Sequence, residues 1–369
     1  LNSLIRKKLE VIQRELDKYN LDALVLGKEF TKYVFPEVYD EVLGPVAKFV
    51  VMDLSTLDVI AICSPMQVPT IQDVYPQVRV FVVDPYDRVD LGVPRFSDDA
   101  RALRNALSGC NKVGYAGTVP IDKLRDLELL GVETVIRKII MRKLDEEIDR
   151  IRRSVELTEK AVEEVVNELT VGIREIDIAV LLHEKLVEHG CSGLAFPPIV
   201  AIGKNSREPH HIPTAAKFDG HQPILIDVGA RVEGYCSDIT RIVIPSKLHG
   251  EYQNIEDVVS AVEASIGSAL SVLRAGVRGN DVYAEALKEL ERRGYGGLFI
   301  HGLGHGIGID VHEEPYLNQR WEYPIPEGCV VTVEPGVYMK LFGVRIEEDV
   351  IVREGGVEQI SKLPRIIRL

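Results

Sequence analysis

Apolar positions in the first third of the chain follow two different periods. Across residues 4–19 they recur at the spacing of one helix face. Residues 22–26, 48–52, 59–63 and 78–83 are short apolar runs that predict strands. A helical run at 98–108, a strand at 113–115 and a helix at 120–130 complete the reading of an α/β domain. The pattern then changes, and the boundary is placed near 138–143, giving domains 1–139 and 140–369. From Asp145 an amphipathic stripe (Ile148, Ile151, Val155, Ala161, Val165) predicts a long helix to about residue 169, with a second over 175–189. Two more helices fit 257–274 and 280–293, and strand-rich blocks occupy 223–245 and 329–352. Helix pair, strand pair, helix pair, strand pair reads as a duplicated plan.

A chain of 369 residues exceeds what one core usually organises, which agrees with two domains. The net charge of −13 argues against nucleic acid and against an anionic membrane surface, and favours small substrates or metal cations. No apolar run approaches a bilayer span, and the basic residues near the start precede no apolar block, so a soluble cytoplasmic protein is expected. The five cysteines (Cys63, Cys110, Cys191, Cys236, Cys329) form no CxxC pair, so neither a disulfide framework nor a thiolate zinc site is indicated.

Two acidic pairs carry the chemistry. Asp227 interrupts an apolar strand-like run, where a lone carboxylate is costly unless its charge is compensated. Asp238 follows eleven residues later, an odd separation that lets two residues face each other across an antiparallel hairpin turning near Val232-Glu233. Glu334 and Glu347 repeat the device at a separation of thirteen. Taken singly, such acids most often pair with cations such as Arg241, Arg345 or Lys340, or face solvent. Four in matched hairpins would repel one another, and bound cations are the better remedy.

Three of the nine histidines, His301, His305 and His312, fall in one glycine-rich stretch. An imidazole such as that of His305 added to four carboxylates suits Mn, Co, Fe or Zn at paired positions, whereas Mg or Ca alone rarely recruits histidine. His183, His189, His221 and His249 receive no role, since isolated histidines are usually core or turn residues. The stretch lacks the order of a dinucleotide or Walker loop, and the chain holds neither HExxH nor GxSxG.

Four segments together resemble the pita-bread metallopeptidases, which include prolidase, aminopeptidase P and methionine aminopeptidase. They are 205–210, 226–241, 301–315 and 334–347. The resemblance implies an α/β N-terminal domain followed by an α+β pita-bread catalytic domain with internal pseudo-two-fold duplication. It implies that Asp227 binds one metal, His305 and Glu334 the other, and that Asp238 and Glu347 bridge both. It further implies that Glu334 shuttles a proton, that His312 lies near the scissile carbonyl, that His210 and His301 line the pocket, and that Arg345 orients a carboxylate. Creatinase-like relatives lack this complete set, and methionine aminopeptidases usually lack the large first domain. The expected activity is therefore hydrolysis of Xaa-Pro bonds in short proline-containing peptides, as a dipeptidase or, alternatively, an aminopeptidase on longer chains. A non-catalytic binding protein on the same scaffold is the other class. Two divalent ions, Mn or Co first and Zn or Fe next, and a homodimer are implied. Where some prolidases place an arginine for the dipeptide carboxylate, this chain has Tyr316, with Arg320 in the same loop.

Overall fold

The computed structural model describes residues 3–39, 44–86 and 90–369. The chain divides into two compact units, Leu1–Ile140 and Met141–Leu369. In the first, seven strands form one sheet in the order Arg95–Phe96, Arg79–Val83, Val59–Cys63, Phe49–Asp53, Ala23–Gly27, Lys112–Ala116, Glu128–Gly131. Two antiparallel pairings at the centre, through Phe49–Asp53, join parallel pairs on either side. The helix expected over 120–130 does not form. That segment is a single 3-10 turn, Ile121–Lys123, followed by the edge strand Glu128–Gly131. Leucines at 124, 127 and 130 give it a helical spacing, but pairing with Lys112–Ala116 completes the sheet and overrides that local preference.

The second unit begins with the helix Asp145–Asn167, whose face of Ile148, Ile151, Val155, Val162 and Val165 is buried. With the helix Glu175–Glu188 it covers one face of a four-stranded sheet, ordered Ile366–Arg368, Ile239–Ile244, Ile224–Val228, Ile199–Ile202. The helices Ile255–Val272 and Gly279–Arg292 build a second core. Ile224, Ile226 and Val228 point into the first core while Leu225 points into the second. Burial on both faces explains why this strand reads as an unbroken apolar run. The second core also contains Val331, Val333 and Val350 from a five-stranded sheet. All five cysteines are free, and burial pushes the Cys63 and Cys329 thiols up to about 12. Among the described residues no helix is long and apolar enough to cross a membrane.

Two hairpins carry the four acids. In the second, Val333 pairs with Glu348 and Gly336 with Arg345, so the same register sets Glu334 opposite Glu347. In the first, Asp227 pairs with Thr240, not Asp238. The expected register is therefore off by two residues. The reason is the turn, which falls at Glu233-Gly234, both with positive φ, and pairs Val232 with Tyr235. An error of two leaves the face unchanged, so Asp227 and Asp238 still share one side of the hairpin. Asp238 stands opposite Gly229, and a Cβ there would lie 1.9 Å from the Ser237 carbonyl oxygen. The hydroxyls of Ser154 and Thr158, on the long helix, hold the Ser237 side chain at 3.0 and 2.8 Å.

Gly229→Ala should force these two strands apart. Chemical denaturation should show a loss of about 1–3 kcal/mol, whereas an unchanged midpoint would mean that the close approach is not required.

Candidate active site

Asp227 sits near the end of a fully buried strand, with its Oδ2 accepting a 2.5 Å hydrogen bond from Arg345 Nη2. Its other oxygen, Oδ1, is buried with no hydrogen-bond partner among the described residues. Arg345, itself buried, also donates to Thr240 Oγ1 at 3.2 Å, to the Tyr338 hydroxyl at 2.8 Å and to the Pro209 carbonyl at 3.2 Å. The Thr240 hydroxyl in turn donates a hydrogen bond to Glu347 Oε2 at 2.8 Å. One guanidinium thus orients carboxylates from both hairpins. The bland expectation that an acid pairs with a nearby cation holds for Asp227. Arg241 instead lies 3.4 Å from the Glu348 carboxylate and reaches Glu347 only at its backbone carbonyl, to which it donates at 2.6 Å.

His305 projects from the short strand Gly304–Gly306. The flanking glycines are needed because a Cβ at Gly304 would lie 2.0 Å from the Thr332 carbonyl oxygen, and one at Gly306 would lie 2.4 Å from that of Glu314. Nδ1 of His305 is 3.1 Å from the Gly306 carbonyl, which can only accept, so Nδ1 carries the proton. Nε2 therefore presents a lone pair, 3.4 Å from Glu334 Oε1 and 3.7 Å from Asp238 Oδ2. One ligand atom from each of Asp238, His305 and Glu347 lies within 4.8 Å of the others.

Electrostatics here is unbalanced. Burial, then repulsion from Glu347, pushes Asp238 and Glu334 well above the carboxylate range. Burial and the charge of Asp227 push Glu347 up to about 8. Asp349, whose Oδ2 accepts the Asp238 backbone N–H at 3.1 Å, is likewise raised by burial and by Glu347. Burial and the neighbouring His312 ring, 4.3 Å away between centroids, hold His305 down to about 3 and hence neutral. Lone pairs of a neutral imidazole aimed at carboxylate oxygens are mutually repulsive unless something positive lies between them. The orphaned Asp227 Oδ1 makes the same demand. This donor set of carboxylate oxygens and one imidazole nitrogen fits divalent ions of the Mn, Co, Fe and Zn group.

All nine residues singled out in the sequence line one cavity of about 540 Å³: Asp227, Asp238, His305, Glu334 and Glu347, with His210, His301, His312 and Arg345. His301 is held neutral, down to about 4 by burial; its Nδ1 donates to the Gly302 carbonyl at 2.7 Å and its Nε2 accepts from Tyr338 at 2.9 Å. His210 and His312 are exposed at the wall. Tyr316 and Asn318 line the cavity, whereas Arg320 is exposed and does not. His189 contacts Glu164 and His249 contacts Asp219, both away from it. Sequence reasoning gave no role to Thr240, Tyr338, Asp349 or His211. Thr240 and Asp349 each lie two residues beyond a candidate ligand, a spacing that places them on the same strand face and could have marked them.

The pattern that defines metallopeptidase family M24 matches residues 149–354. The chain belongs to this metallopeptidase family. It is 28% identical over 348 residues to an Xaa-Pro dipeptidase of Pyrococcus furiosus, covering 88% of this chain and 99% of that one. It is 32% identical over 269 residues to an Xaa-Pro dipeptidase of Pyrococcus horikoshii, covering 70% and 76%. The crystal structure of an X-Pro aminopeptidase from Thermotoga maritima superposes with a TM-score of 0.77 at 28% identity, over 96% of this chain and 100% of that one. The architecture is accordingly an α/β N-terminal domain followed by the pita-bread fold.

Arg345→Ala leaves Asp227 buried beside the other acids with no cation. In metal-free protein it should cost about 3–5 kcal/mol in denaturant unfolding, and a loss below about 1 kcal/mol would show that the pair is dispensable.

Proposed function

We propose that this chain is a dinuclear-metal peptidase that hydrolyses Xaa-Pro bonds at the N-terminus of short peptides, with Xaa-Pro dipeptides as its main substrates. The observation that carries the reading is the convergence of Asp227, Asp238, Glu334 and Glu347 with a neutral His305 in one cavity, where Arg345 is the only Lys or Arg among the described lining residues. In this reading Asp227 would hold one ion, His305 and Glu334 would hold the other, and Asp238 and Glu347 would contribute to both. Mn or Co is favoured, with Zn or Fe next. Such a pair supplies Lewis acidity toward the scissile carbonyl and lowers the pKa of a water nucleophile.

The chain's own residues do the rest. Glu334, partly exposed to the cavity, takes up the proton from the attacking water and returns it to the leaving nitrogen. His312, exposed at the wall, stabilises negative charge developing on the carbonyl oxygen. His301, kept neutral and fixed by Tyr338 and Gly302, presents an apolar ring edge beside a proline ring, while His210 flanks it. A proline nitrogen has no N–H to grip, so recognition must come from such walls. The names of the Pyrococcus relatives support the dipeptide preference. One observation favours longer peptides: Arg345 is the sole Lys or Arg among the described lining residues, and it is committed to Asp227 instead of a substrate carboxylate. In this reading the two halves of the catalytic unit are also a duplicated plan, the domain boundary falls at 139/140, and the protein acts as a cytoplasmic homodimer.

Xaa-Pro and Xaa-Pro-Xaa peptides assayed side by side should both report on this site, with the dipeptide preferred. Chelation should abolish turnover and Mn or Co should restore it; unchanged turnover in chelator, or no cleavage of any proline peptide, would sink the reading. Glu334→Gln should lower kcat by about 10²–10⁴-fold. Thr240→Val, which removes the hydroxyl bound to Glu347, should weaken Mn affinity by about 10–100-fold in calorimetric titration; equal affinity would remove Thr240 from the account.

A further inference from the structure

One wall of the cavity comes from a segment with no sheet pairing of its own. After the strand Ile199–Ile202, the chain makes a 3-10 turn, Gly203–Arg207, and then runs through Pro209, His210, His211, Ile212 and Pro213, all of which line the cavity. Ile212 is 81% exposed, so burial of its own side chain does not hold this segment in place. A loop with few buried apolar contacts opens at low free energy unless polar anchors restrain it.

The anchor is Glu175, the first residue of the helix Glu175–Glu188. Its side chain is fully buried and does not line the cavity. Oε1 accepts from the Ile202 backbone N–H at 2.7 Å and from Asn205 Nδ2 at 2.8 Å. Oε2 accepts from His211 Nε2 at 2.9 Å, from the Thr214 backbone N–H at 2.9 Å and from the Thr214 hydroxyl at 2.7 Å. The donors come from the start, the turn and the far end of the segment, so one carboxylate closes the whole loop. Its position in the first turn of a helix adds the favourable field of the helix N-terminus. An ionised carboxylate only accepts, so His211 Nε2 carries its proton and the ring is fixed beside the cavity. A second tie leads back to the acids: Arg345 donates to the Pro209 carbonyl, and Gly343 N–H donates to Ser206 Oγ at 2.9 Å.

We infer that Glu175 is a positioning residue for substrate binding, holding the 203–214 loop so that His210 and Ile212 form a preset wall against the peptide. This deepens the Xaa-Pro peptidase reading and rests on it for the identity of the ligand. Preorganisation by a remote anchor acts on binding of the ground state, so its loss raises KM and leaves kcat and metal content in place.

The test compares the whole protein with Glu175→Gln and with Leu182→Ala, which removes a fully buried core side chain from the same helix. The amide keeps one acceptor oxygen and turns its NH2 toward former donors, so half of the loop is released. Two readouts are taken: trypsin cleavage of the folded protein after the exposed Lys204 and Arg207, and KM and kcat on an Xaa-Pro peptide with bound metal measured per chain. Glu175→Gln should raise cleavage at these sites and KM by about tenfold or more, with kcat within about twofold and metal content unchanged; Leu182→Ala should lower the melting temperature without either effect. Unchanged cleavage and KM in Glu175→Gln, or the same changes in Leu182→Ala, would overturn the inference. If Glu175→Gln does not accumulate folded, Thr214→Val removes one donor and should give the same pattern at smaller size, its absence counting against the inference. Wild-type protein that cleaves no Xaa-Pro peptide would refute the proposed function, while the trypsin comparison still decides the role of Glu175.

Discussion

Charge confined in a small buried volume governs this molecule. Asp227, Asp238, Glu334 and Glu347 face one cavity together with a neutral imidazole, and Arg345 is the one guanidinium among its described lining residues. Removing carboxylates from water costs several kcal/mol each unless positive charge or donors replace the solvent. The protein supplies part of that replacement through Arg345 and Thr240, which reach carboxylates of both hairpins. The remainder shows as raised proton affinities and as an unpartnered Asp227 oxygen. Divalent cations are the remedy whose ligand chemistry matches the donors present.

The backbone is built to deliver that confinement. Gly229 lets the first hairpin close on Ser237, and Gly304 and Gly306 let the His305 strand press against its neighbours. Helix-borne hydroxyls of Ser154 and Thr158 fix the residue before Asp238, and a buried helix-start carboxylate, Glu175, gathers the loop behind His210. The clustered acids and His305 thus sit on or beside ordered strands, while the cavity wall around His210 sits on a loop tied by polar anchors. On the proposed function, this division suits a site in which metal geometry is rigid and peptide binding is reversible.

Much of this was legible because strand periodicity of two tolerates even errors. Pairing Asp227 with Asp238 missed the true partner, Thr240, yet kept both acids on one face. The second hairpin, with Glu334 opposite Glu347, followed directly from its odd spacing. Residues 120–130 misled because leucine spacing at a sheet edge mimics a helix, and only pairing with Lys112–Ala116 reveals the strand. Tyr338, Glu175 and His211 were not legible as site residues, since each acts through a contact more than thirty residues away in sequence. Hydrophobic pattern reports which face a residue takes; it does not report which distant group meets it there.

Anomalous diffraction from crystals grown with Mn tests the central claim most directly. The account predicts two Mn sites in the cavity, one ligated by Asp227 and one by His305 and Glu334, with Asp238 and Glu347 touching both. A cavity without Mn, or Mn bound only elsewhere on the protein, would contradict it.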